Sequence, residues 1–362
     1  MIRILERARP EILTLRPYEH AAWEPSLERM HANEMPWRAS EEASVAGLNR
    51  YPEPQPHELI DHLASLYGAK PTQVLAGRGS DEGIDLLVRA FCRAGQDSIV
   101  ICPPTFGMYK VSARIQGAGV IEVPLLKERG YALDAERVVA ACNESVKLVF
   151  LCSPNNPTGN LLDRTAIEFV CTQLADRAVV VVDEAYIEFA QSPSFIPLLA
   201  RFENLVVLRT LSKAYALAGA RCGALIAHAE IVSLLARVIT PYALPTQTIE
   251  AVLRFTDSSH EAEARKRIDT ILRERDQLAS ALAPLPAVRK VWRSDSNFLL
   301  LQCVDAAAVL NAAIDAGLIV RDLRSNPLLV DCVRVSVGTA EQNARLLDAV
   351  RALPLAVAGD AA

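Results

Sequence analysis

Short apolar segments alternate with stretches of helical periodicity between about residue 73 and residue 228. Several of these segments are hydrophobic at successive positions, which is typical of strands buried on both faces of a mostly parallel sheet. The stretch 80–94 is amphipathic and opens with Ser-Asp-Glu, a helix-capping sequence. This alternation predicts an α/β domain with helices on both faces of its sheet. The predicted strands are 73–76, 98–102, 120–123, 146–152, 178–182, 204–208 and 222–227.

The pattern changes after Pro241. Residues 261–283 predict one long charged helix with its apolar positions near one face, and Pro284 ends it because proline cannot continue a helix interior. The mixture of elements that follows predicts a second, smaller α+β domain. These elements are strand 297–301, helix 306–316, the strand pair 318–320 and 333–337, and helix 340–353.

The composition restricts the binding partners and the cellular compartment that we expect for this chain. The 362 residues are 51% hydrophobic and 22% charged, with a net charge of −5, which argues against nucleic acid or an anionic membrane as the main partner. The amino terminus lacks the apolar stretch of a secretory signal, and no segment approaches the roughly 18 apolar residues of a membrane helix. The eight cysteines include no Cys-x-x-Cys pair, so we expect free thiols in a reducing cytoplasm and no metal site.

The most informative chemical signal is Lys213, which follows the apolar segment ending at Leu208 and precedes Arg221 by eight residues. Asp183 ends a run of four valines, so its carboxylate is expected to be desolvated and to need a cationic partner. Pyridoxal phosphate would provide an aldehyde for the lysine, a protonated ring nitrogen for the carboxylate and a phosphate for Ser212 and Arg221. The alternative for each residue considered alone is that Lys213 is an ordinary surface lysine and that Asp183 caps a helix.

Two further polar segments follow predicted strands. Residues 77–82, Gly-Arg-Gly-Ser-Asp-Glu, form a glycine turn into a helix whose free N–H groups could bind phosphate, and residues 153–159 contain Asn-Asn-Pro-Thr-Gly. Either segment alone could be a simple turn, and Phe106 could be a core residue or a ring that stacks on a cofactor. Because ligands of open α/β sheets bind at the carboxyl ends of the strands, we expect these segments to converge with Asp183 and Lys213.

Two arginines of the smaller domain are candidates for anion binding. Arg321 follows Ile-Val, and Arg334 lies between two valines. A guanidinium in such a setting is costly to bury without a partner. A carboxylate or phosphate of a substrate would bind it in bidentate fashion, and a structural ion pair is the alternative.

These motifs resemble, over almost the whole chain, those of the fold-type I pyridoxal phosphate-dependent aminotransferases, and more narrowly those of the histidinol-phosphate aminotransferases. The Asn-Pro-Thr-Gly, Asp-x-x-Tyr and Ser-Lys elements are shared by many aminotransferases. The Asn-Arg-Tyr-Pro, Arg-Gly-Ser-Asp-Glu and Asp-Glu-Ala-Tyr-Ile-Glu-Phe forms indicate the narrower group. One departure is Met35 before Pro36, in a motif that the family often writes Asn-Glu-Asn-Pro. The matching segments are 31–37, 48–52, 77–82, 102–109, 153–159, 183–189, 209–223 and 334–339.

The resemblance implies a homodimer of two-domain subunits. Residues 45–245 would form the large domain, in which a mostly parallel seven-stranded sheet covered by helices binds pyridoxal phosphate. Residues 246–362 would form the smaller α+β domain. Residues 1–44 would be an amino-terminal segment that packs on the small domain and on the partner subunit.

The resemblance also assigns roles around the cofactor ring. Lys213 would link to the cofactor and then act as the base and acid of the proton shift. Asp183 would pair with the ring nitrogen, Tyr186 and Asn156 would hold the ring oxygen, and Phe106 would stack on the ring.

Anion binding is divided among further residues by the same resemblance. The backbone around Ser80 and Asp81, together with Ser212 and Arg221, would bind the cofactor phosphate, and Tyr51 would reach it from the neighbouring subunit. The substrate would be held by Arg334 at its carboxylate, by Arg321 and Tyr18 at its phosphate, and by contacts from Asn33, Tyr51 and Asn156.

The implied reaction transfers an amino group between L-histidinol phosphate and 2-oxoglutarate, giving imidazole-acetol phosphate and L-glutamate by a ping-pong mechanism in histidine biosynthesis. Two alternatives share the fold, an aromatic amino acid aminotransferase and a phosphothreonine decarboxylase. A third, of another class, is a transcription regulator that uses an aminotransferase-like domain as a sensor. It would need an amino-terminal DNA-binding module, whereas here the enzyme pattern begins within the first fifty residues.

Overall fold

The computed structural model of this chain describes residues 2–20, 24 and 27–354. The α-helices are α1 Pro10–Leu13, α2 His57–Tyr67, α3 Ser80–Phe91, α4 Met108–Gln116, α5 Ala135–Ala141, α6 Arg164–Gln173, α7 Ala229–Leu235, α8 Thr246–Phe255, α9 Ser258–Leu282, α10 Ala306–Asp315 and α11 Ala340–Arg351. The strands are β1 Val74–Gly77, β2 Ser98–Ile101, β3 Gly119–Glu122, β4 Val146–Cys152, β5 Val179–Asp183, β6 Leu205–Thr210, β7 Gly223–Ala227, β8 Val288–Val291, β9 Phe298–Cys303, β10 Arg321–Asp322 and β11 Cys332–Ser336.

The larger sheet has seven strands in the order β1-β7-β6-β5-β4-β2-β3. Strand β7 runs antiparallel to both of its neighbours, and every other pair in the sheet is parallel. Each predicted strand of this sheet overlaps an observed one, so the predicted α/β fold with a mostly parallel sheet is confirmed. Because parallel strands end at the same edge, the loops after β2, β4, β5 and β6 lie side by side.

Helices bury both faces of this sheet. Along β5, Val180 and Val182 belong to the hydrophobic core shared with α2, α5 and α6. Val179 and Val181 belong instead to the core shared with α3, α4 and α7. Successive side chains of a strand point to opposite faces, so a strand covered on both faces is apolar at every position. This burial explains the run of four valines before Asp183.

The smaller sheet has the order β10-β11-β9-β8, with all pairs antiparallel. Helices α9, α10 and α11 contribute Leu278, Leu310 and Leu346 to its hydrophobic core. Strand β8 was not predicted from the sequence, because it is four residues long and carries two exposed charged residues. The predicted strand 318–320 was misplaced, since β10 is a two-residue exposed edge strand that pairs Arg321 with Arg334.

The two sheets meet beside the loops that follow β4 and β5. Phe298 of β9 packs with Tyr186 in one small hydrophobic cluster. The backbone N–H of Asp295 donates to the carbonyl of Gly159 at 2.7 Å. Gly159 has a φ of 84°, and a Cβ there would lie 2.6 Å from Ser294 Oγ, so only glycine fits this contact. The smaller sheet is therefore fixed next to the carboxyl edge of the larger one.

Two expectations from composition concern the chain as a whole. All eight cysteines are buried and free. In residues 2–20, 24 and 27–354, no helix has the length and apolar character needed to cross a membrane.

Candidate active site

A cavity of about 570 Å³ lies at the carboxyl ends of β1, β4, β5 and β6 and extends to the smaller sheet. Parallel strands bring their following loops to this edge, and the loop after β10 and strand β11 form part of the wall. Most of the predicted site residues line this one cavity. They are Ser80, Asp81, Phe106, Asn156, Asp183, Tyr186, Ser212, Lys213, Arg221, Arg321 and Arg334.

Asp183, the last residue of β5, is only 2% exposed. Tyr109 Oη donates to its Oδ2 at 2.7 Å, and the backbone N–H of Ala185 donates to its Oδ1 at 3.1 Å. Burial raises the pKa of the Asp183 carboxyl from its ordinary 3.8 to about 6, and the two hydrogen bonds and Lys213 limit this rise. At neutral pH the carboxylate is ionised but poorly solvated, which makes it a strong partner for a cation in the cavity.

The Lys213 side chain lines the same cavity, with its Nζ 5.7 Å from the centre of the Tyr186 ring. Desolvation lowers the pKa of its amine, and the positive charges of Arg334 and Arg221 lower it further, while nearby carboxylates oppose them. A lower pKa increases the fraction of neutral, nucleophilic amine at a given pH. Lys213 is thus suited to attack an aldehyde and to exchange protons.

A chain of hydrogen bonds links the two sheets across the cavity. Arg334 Nη1 donates to Asn156 Oδ1, and Asn156 Nδ2 donates to Tyr186 Oη at 3.4 Å. The Arg334 guanidinium also lies 5.1 Å from the centre of the Phe298 ring. Its Nε is buried and has no hydrogen-bond partner in the part of the chain that the structure describes. A buried N–H without a partner is costly, so this guanidinium is arranged to receive an anion.

The turn from β1 into α3 forms an anion-binding corner. Gly79 has a φ of 84°, a left-handed conformation that favours glycine, and it lies against the Arg221 guanidinium, since a Cβ there would be 2.9 Å from Arg221 Nη2. Helix α3 begins at Ser80, and the N–H groups at a helix start can bind a ligand; of those in this first turn, the N–H of Glu82 already donates to the carbonyl of Gly79 at 3.3 Å. Arg221 donates to Ser212 Oγ and to Asp81 Oδ2, each at 3.4 Å. A guanidinium, a hydroxyl and a helix amino terminus are suitable donors for a phosphate.

Phe106 lies in the loop between β2 and α4. Its ring is partly buried and packs edge to face on Tyr109, with 5.6 Å between the ring centres. It also lines the cavity. A flat ligand could therefore contact this ring.

Three predicted site residues lie outside this cavity. Asn33 and Tyr51 line a separate cavity of about 450 Å³, and the Tyr51 ring stacks on Tyr242 with 4.6 Å between the ring centres. Tyr18 is largely exposed and lines neither cavity. Within one chain these residues do not meet Lys213.

Known proteins resemble this chain both in sequence and in fold. The family model for class I and II aminotransferases matches residues 28–350. The chain belongs to this family. Histidinol-phosphate aminotransferase from Stenotrophomonas maltophilia (strain R551-3) is 48% identical over 325 residues, which cover 89% of this chain and 89% of that protein. The resemblance inferred from the motifs is confirmed, and this chain is an aminotransferase.

Solved structures are similar to this aminotransferase in fold. Histidinol-phosphate aminotransferase from Sinorhizobium meliloti in complex with pyridoxal-5'-phosphate has a TM-score of 0.74 and 24% identity, covering 84% of this chain and 82% of that chain. L-threonine-O-3-phosphate decarboxylase from Porphyromonas gingivalis has a TM-score of 0.70 and 23% identity, covering 84% and 90%. Aminotransferases and a decarboxylase thus share this architecture, and the substrate must be argued from the site.

Two residues that line this aminotransferase cavity, and one that lies behind it, were not predicted to belong to the site. Tyr109 contacts Asp183 from α4, although the two are 74 residues apart. Thr210 lines the cavity and its hydroxyl contacts Ser212 Oγ at 3.0 Å. Asn326 lines it from the loop after β10. Tyr109 and Thr210 belong to matching motifs, which were the available signal, whereas neither spacing nor pattern pointed to Asn326.

Proposed function

We propose that this chain transfers the amino group between L-histidinol phosphate and 2-oxoglutarate, with imidazole-acetol phosphate and L-glutamate as the other pair, using pyridoxal 5'-phosphate. The observation that carries the proposal is the placement of Lys213, Asp183 and Arg334 in one cavity. The 48% identity to a histidinol-phosphate aminotransferase over 89% of both chains supports the choice of substrate.

The residues of the cavity fit this cofactor. Among the described residues, the hydrogen-bond donors to the buried Asp183 carboxylate are both neutral, so a protonated ring nitrogen would supply its missing counter-charge. Tyr186 and Asn156 would hold the ring oxygen, and Ser80, Ser212 and Arg221 the phosphate. When bound, the cofactor supplies an aldehyde for amino transfer and an electron sink for the carbanion.

Lys213 performs the proton chemistry in this proposal. Its Nζ would accept the proton from Cα of the amino substrate, hold it as an ammonium and release it again within the cavity. The lowered pKa of the amine favours the neutral form needed for the first step. The buried ring of Tyr186 has its centre 5.7 Å from Nζ and forms the wall of the cavity beside the amine.

Arg334 and Arg321 would bind the anions of the two substrates. They are opposite each other across β10 and β11, and both line the cavity. Glutamate carries a second carboxylate and histidinol phosphate carries a phosphate, so one pair of arginines could serve both half-reactions. The free Nε of Arg334 adds a donor for bidentate binding.

A homodimer would complete the site. Tyr51 is about half exposed and lies outside the Lys213 cavity, as expected if it reaches the cofactor phosphate of the partner subunit. The segment before it exposes large apolar side chains, including Met30, Trp37 and Val45. Several large exposed apolar side chains in one segment favour an interface there. We propose this arrangement together with the domain limits 45–245 and 246–362, the packing of residues 1–44 and a cytoplasmic location.

Arg334→Ala is expected to lower kcat/KM for both amino substrates by about 10²-fold, because two charged hydrogen bonds to the substrate anion are lost. Arg334→Lys should recover only part of this loss, since an ammonium lacks the planar fork. Arg324→Ala is the matched control, because Arg324 lies in the same sheet region, pairs with Asp322 and does not line the cavity. Equal kcat/KM values for the Arg334→Ala variant and the parent enzyme would refute substrate binding by this residue.

The choice of substrate is tested by single-turnover half-reactions with histidinol phosphate, phenylalanine and O-phosphothreonine. We expect histidinol phosphate to react at least about 10²-fold faster than phenylalanine, because a site built for a phosphate leaves its arginines unpaired with an apolar side chain. A preference for phenylalanine would instead identify an aromatic amino acid aminotransferase. Release of CO₂ from O-phosphothreonine would identify a decarboxylase.

A further inference from the structure

We propose that Tyr109 is a positioning residue that keeps Asp183 ionised, so that the carboxylate can pair with a cationic ring in the cavity. This inference rests on the proposed cofactor chemistry but concerns a residue to which that chemistry assigns no role. Tyr109 Oη lies 2.7 Å from Asp183 Oδ2, and the tyrosine is fully buried.

The surroundings of Tyr109 make its hydroxyl a fixed donor. Its ring stacks on Phe150 with 4.8 Å between the ring centres, and on its other side it meets Phe106 edge to face. Burial and the Asp183 carboxylate raise the pKa of the Tyr109 hydroxyl well above its ordinary value. The hydroxyl therefore stays protonated over the whole working range, and it donates to the Asp183 carboxylate.

Several groups face Asp183 from the elements around it. The Cys152 thiol of β4 and the Tyr109 hydroxyl of α4 adjoin it, and burial raises the pKa of that thiol so that it stays neutral. Asp81 of α3 repels the carboxylate and Lys213 attracts it. The backbone N–H of Ala185 is the other donor.

Among these groups, the neutral side chains are those of Tyr109 and Cys152, and the Cys152 thiol donates to the carbonyl of Pro154. Replacing Tyr109 by phenylalanine removes a donor to Asp183 without changing a charge. Asp81 and Lys213 are charged and belong to the proposed binding machinery, and the Ala185 donor belongs to the main chain. A hydrogen bond to a charged acceptor is worth about one to two pKa units. Without the Tyr109 hydroxyl, the pKa of Asp183 should therefore rise from about 6 into the neutral range.

Tyr109→Phe tests this in the cofactor-free protein. When folding raises the pKa of a carboxyl, the unfolding free energy of the protein falls as the pH rises toward that folded pKa. The variant should therefore continue to lose stability above pH 6, where Asp183 of the parent is already ionised. We expect the unfolding constant of the variant relative to the parent to rise about tenfold between pH 5.5 and pH 8. The matched control is Tyr131→Phe, since Tyr131 is also buried and its Oη has no hydrogen-bond partner in the described residues. Its ratio should stay constant.

Binding of pyridoxal phosphate gives a second readout. The dissociation constant of Tyr109→Phe relative to the parent should be about tenfold higher at pH 6 and approach equality near pH 8.5, because only the ionised carboxylate pairs with the ring nitrogen. Titration of the cofactor itself cancels in this ratio. Flat stability and binding ratios, matching those of Tyr131→Phe, would overturn the role of Tyr109.

A measurement on the unaltered protein covers the case in which Tyr109→Phe does not fold. With ¹³Cζ-labelled tyrosine, the Tyr109 resonance of the cofactor-free protein should shift with a midpoint near pH 6, as Asp183 loses its proton. A Tyr109 resonance that is constant from pH 5 to pH 8 would refute the proposal. None of these stability and resonance readouts depends on which amino substrate the enzyme uses, so they remain informative if histidinol phosphate is not the substrate.

Discussion

Lys213→Ala is expected to lower kcat by about 10⁴-fold or more, the largest effect of any single substitution in this chain. In the proposed mechanism the amine of Lys213 supplies both the covalent link to the cofactor and the proton transfer, and a positioned acid–base group alone contributes about 10²–10⁴-fold. No other lysine lines the cavity in the described residues, so no neighbour can replace the amine. Steady-state rates with a saturating amino substrate measure the effect.

Lys213→Arg is the matched control for charge. The guanidinium keeps a cation beside Tyr186 and Asp183 but stays protonated and cannot act as a base. If positive charge were the main contribution of Lys213, this variant would retain most of the parental rate. We expect it to be as inactive as Lys213→Ala, and a kcat near that of the parent in either variant would remove Lys213 from the mechanism.

Asp183→Asn is expected to have opposite effects on activity and on stability. Losing the carboxylate removes the counter-charge for the ring nitrogen, so kcat should fall by about 10³-fold. The same carboxylate is costly to bury in the cofactor-free protein, because a pKa raised from 3.8 to about 6 corresponds to about 3 kcal/mol. Asparagine avoids this cost but satisfies the two existing donors less well, so we expect a net gain in unfolding free energy of about 1–2 kcal/mol at pH 8.

The pH dependence distinguishes this gain from a general change in packing. Since the folded pKa of Asp183 is raised, its burial cost is complete above about pH 6 and disappears as the pH falls toward 3.8. The advantage of the asparagine variant should therefore be present at pH 8 and fall by about 2 kcal/mol by pH 4, where the parent becomes at least as stable, as measured by urea unfolding of the cofactor-free protein. An advantage that is the same at both pH values would contradict the assigned cost of the buried carboxylate.

The sequence was sufficient to predict the parts of the site that follow from sheet topology. Asp183 and Lys213 follow apolar segments, and parallel strands must bring the ends of such segments to one edge. Strand β5 could be predicted from the sequence because burial on both faces requires apolar residues at every position. Strand β8, at a partly exposed edge, offered no such signal.

Contacts between side chains of distant elements could not be predicted in the same way. Arg209 forms a buried ion pair with Glu188 at 2.7 Å and lies 3.4 Å from Glu184, which ties the strand end before Lys213 to the loop after Asp183. All three residues are in the matching motifs, but their pairing depends on the register of β5 against β6. The hydrogen bond from Tyr109 to Asp183 likewise depends on how α4 packs on the sheet.

The roles of residues that act between two subunits could not be derived from a single chain. The stacking of Tyr51 on Tyr242 is a contact within one subunit. The proposed contact of Tyr51 with the cofactor phosphate of the partner subunit requires a second copy, so neither the pattern of one chain nor its fold determines it.

Covalent mapping of the cofactor tests the proposed role of Lys213. The protein is loaded with pyridoxal phosphate, reduced with borohydride to make the lysine–cofactor bond permanent, and digested for mass spectrometry. We predict that the added mass of the reduced cofactor is found on the peptide that contains Lys213, and that it is absent from the Lys213→Ala variant. Attachment to a different lysine, or no attachment in protein that transfers amino groups, would contradict the proposed mechanism.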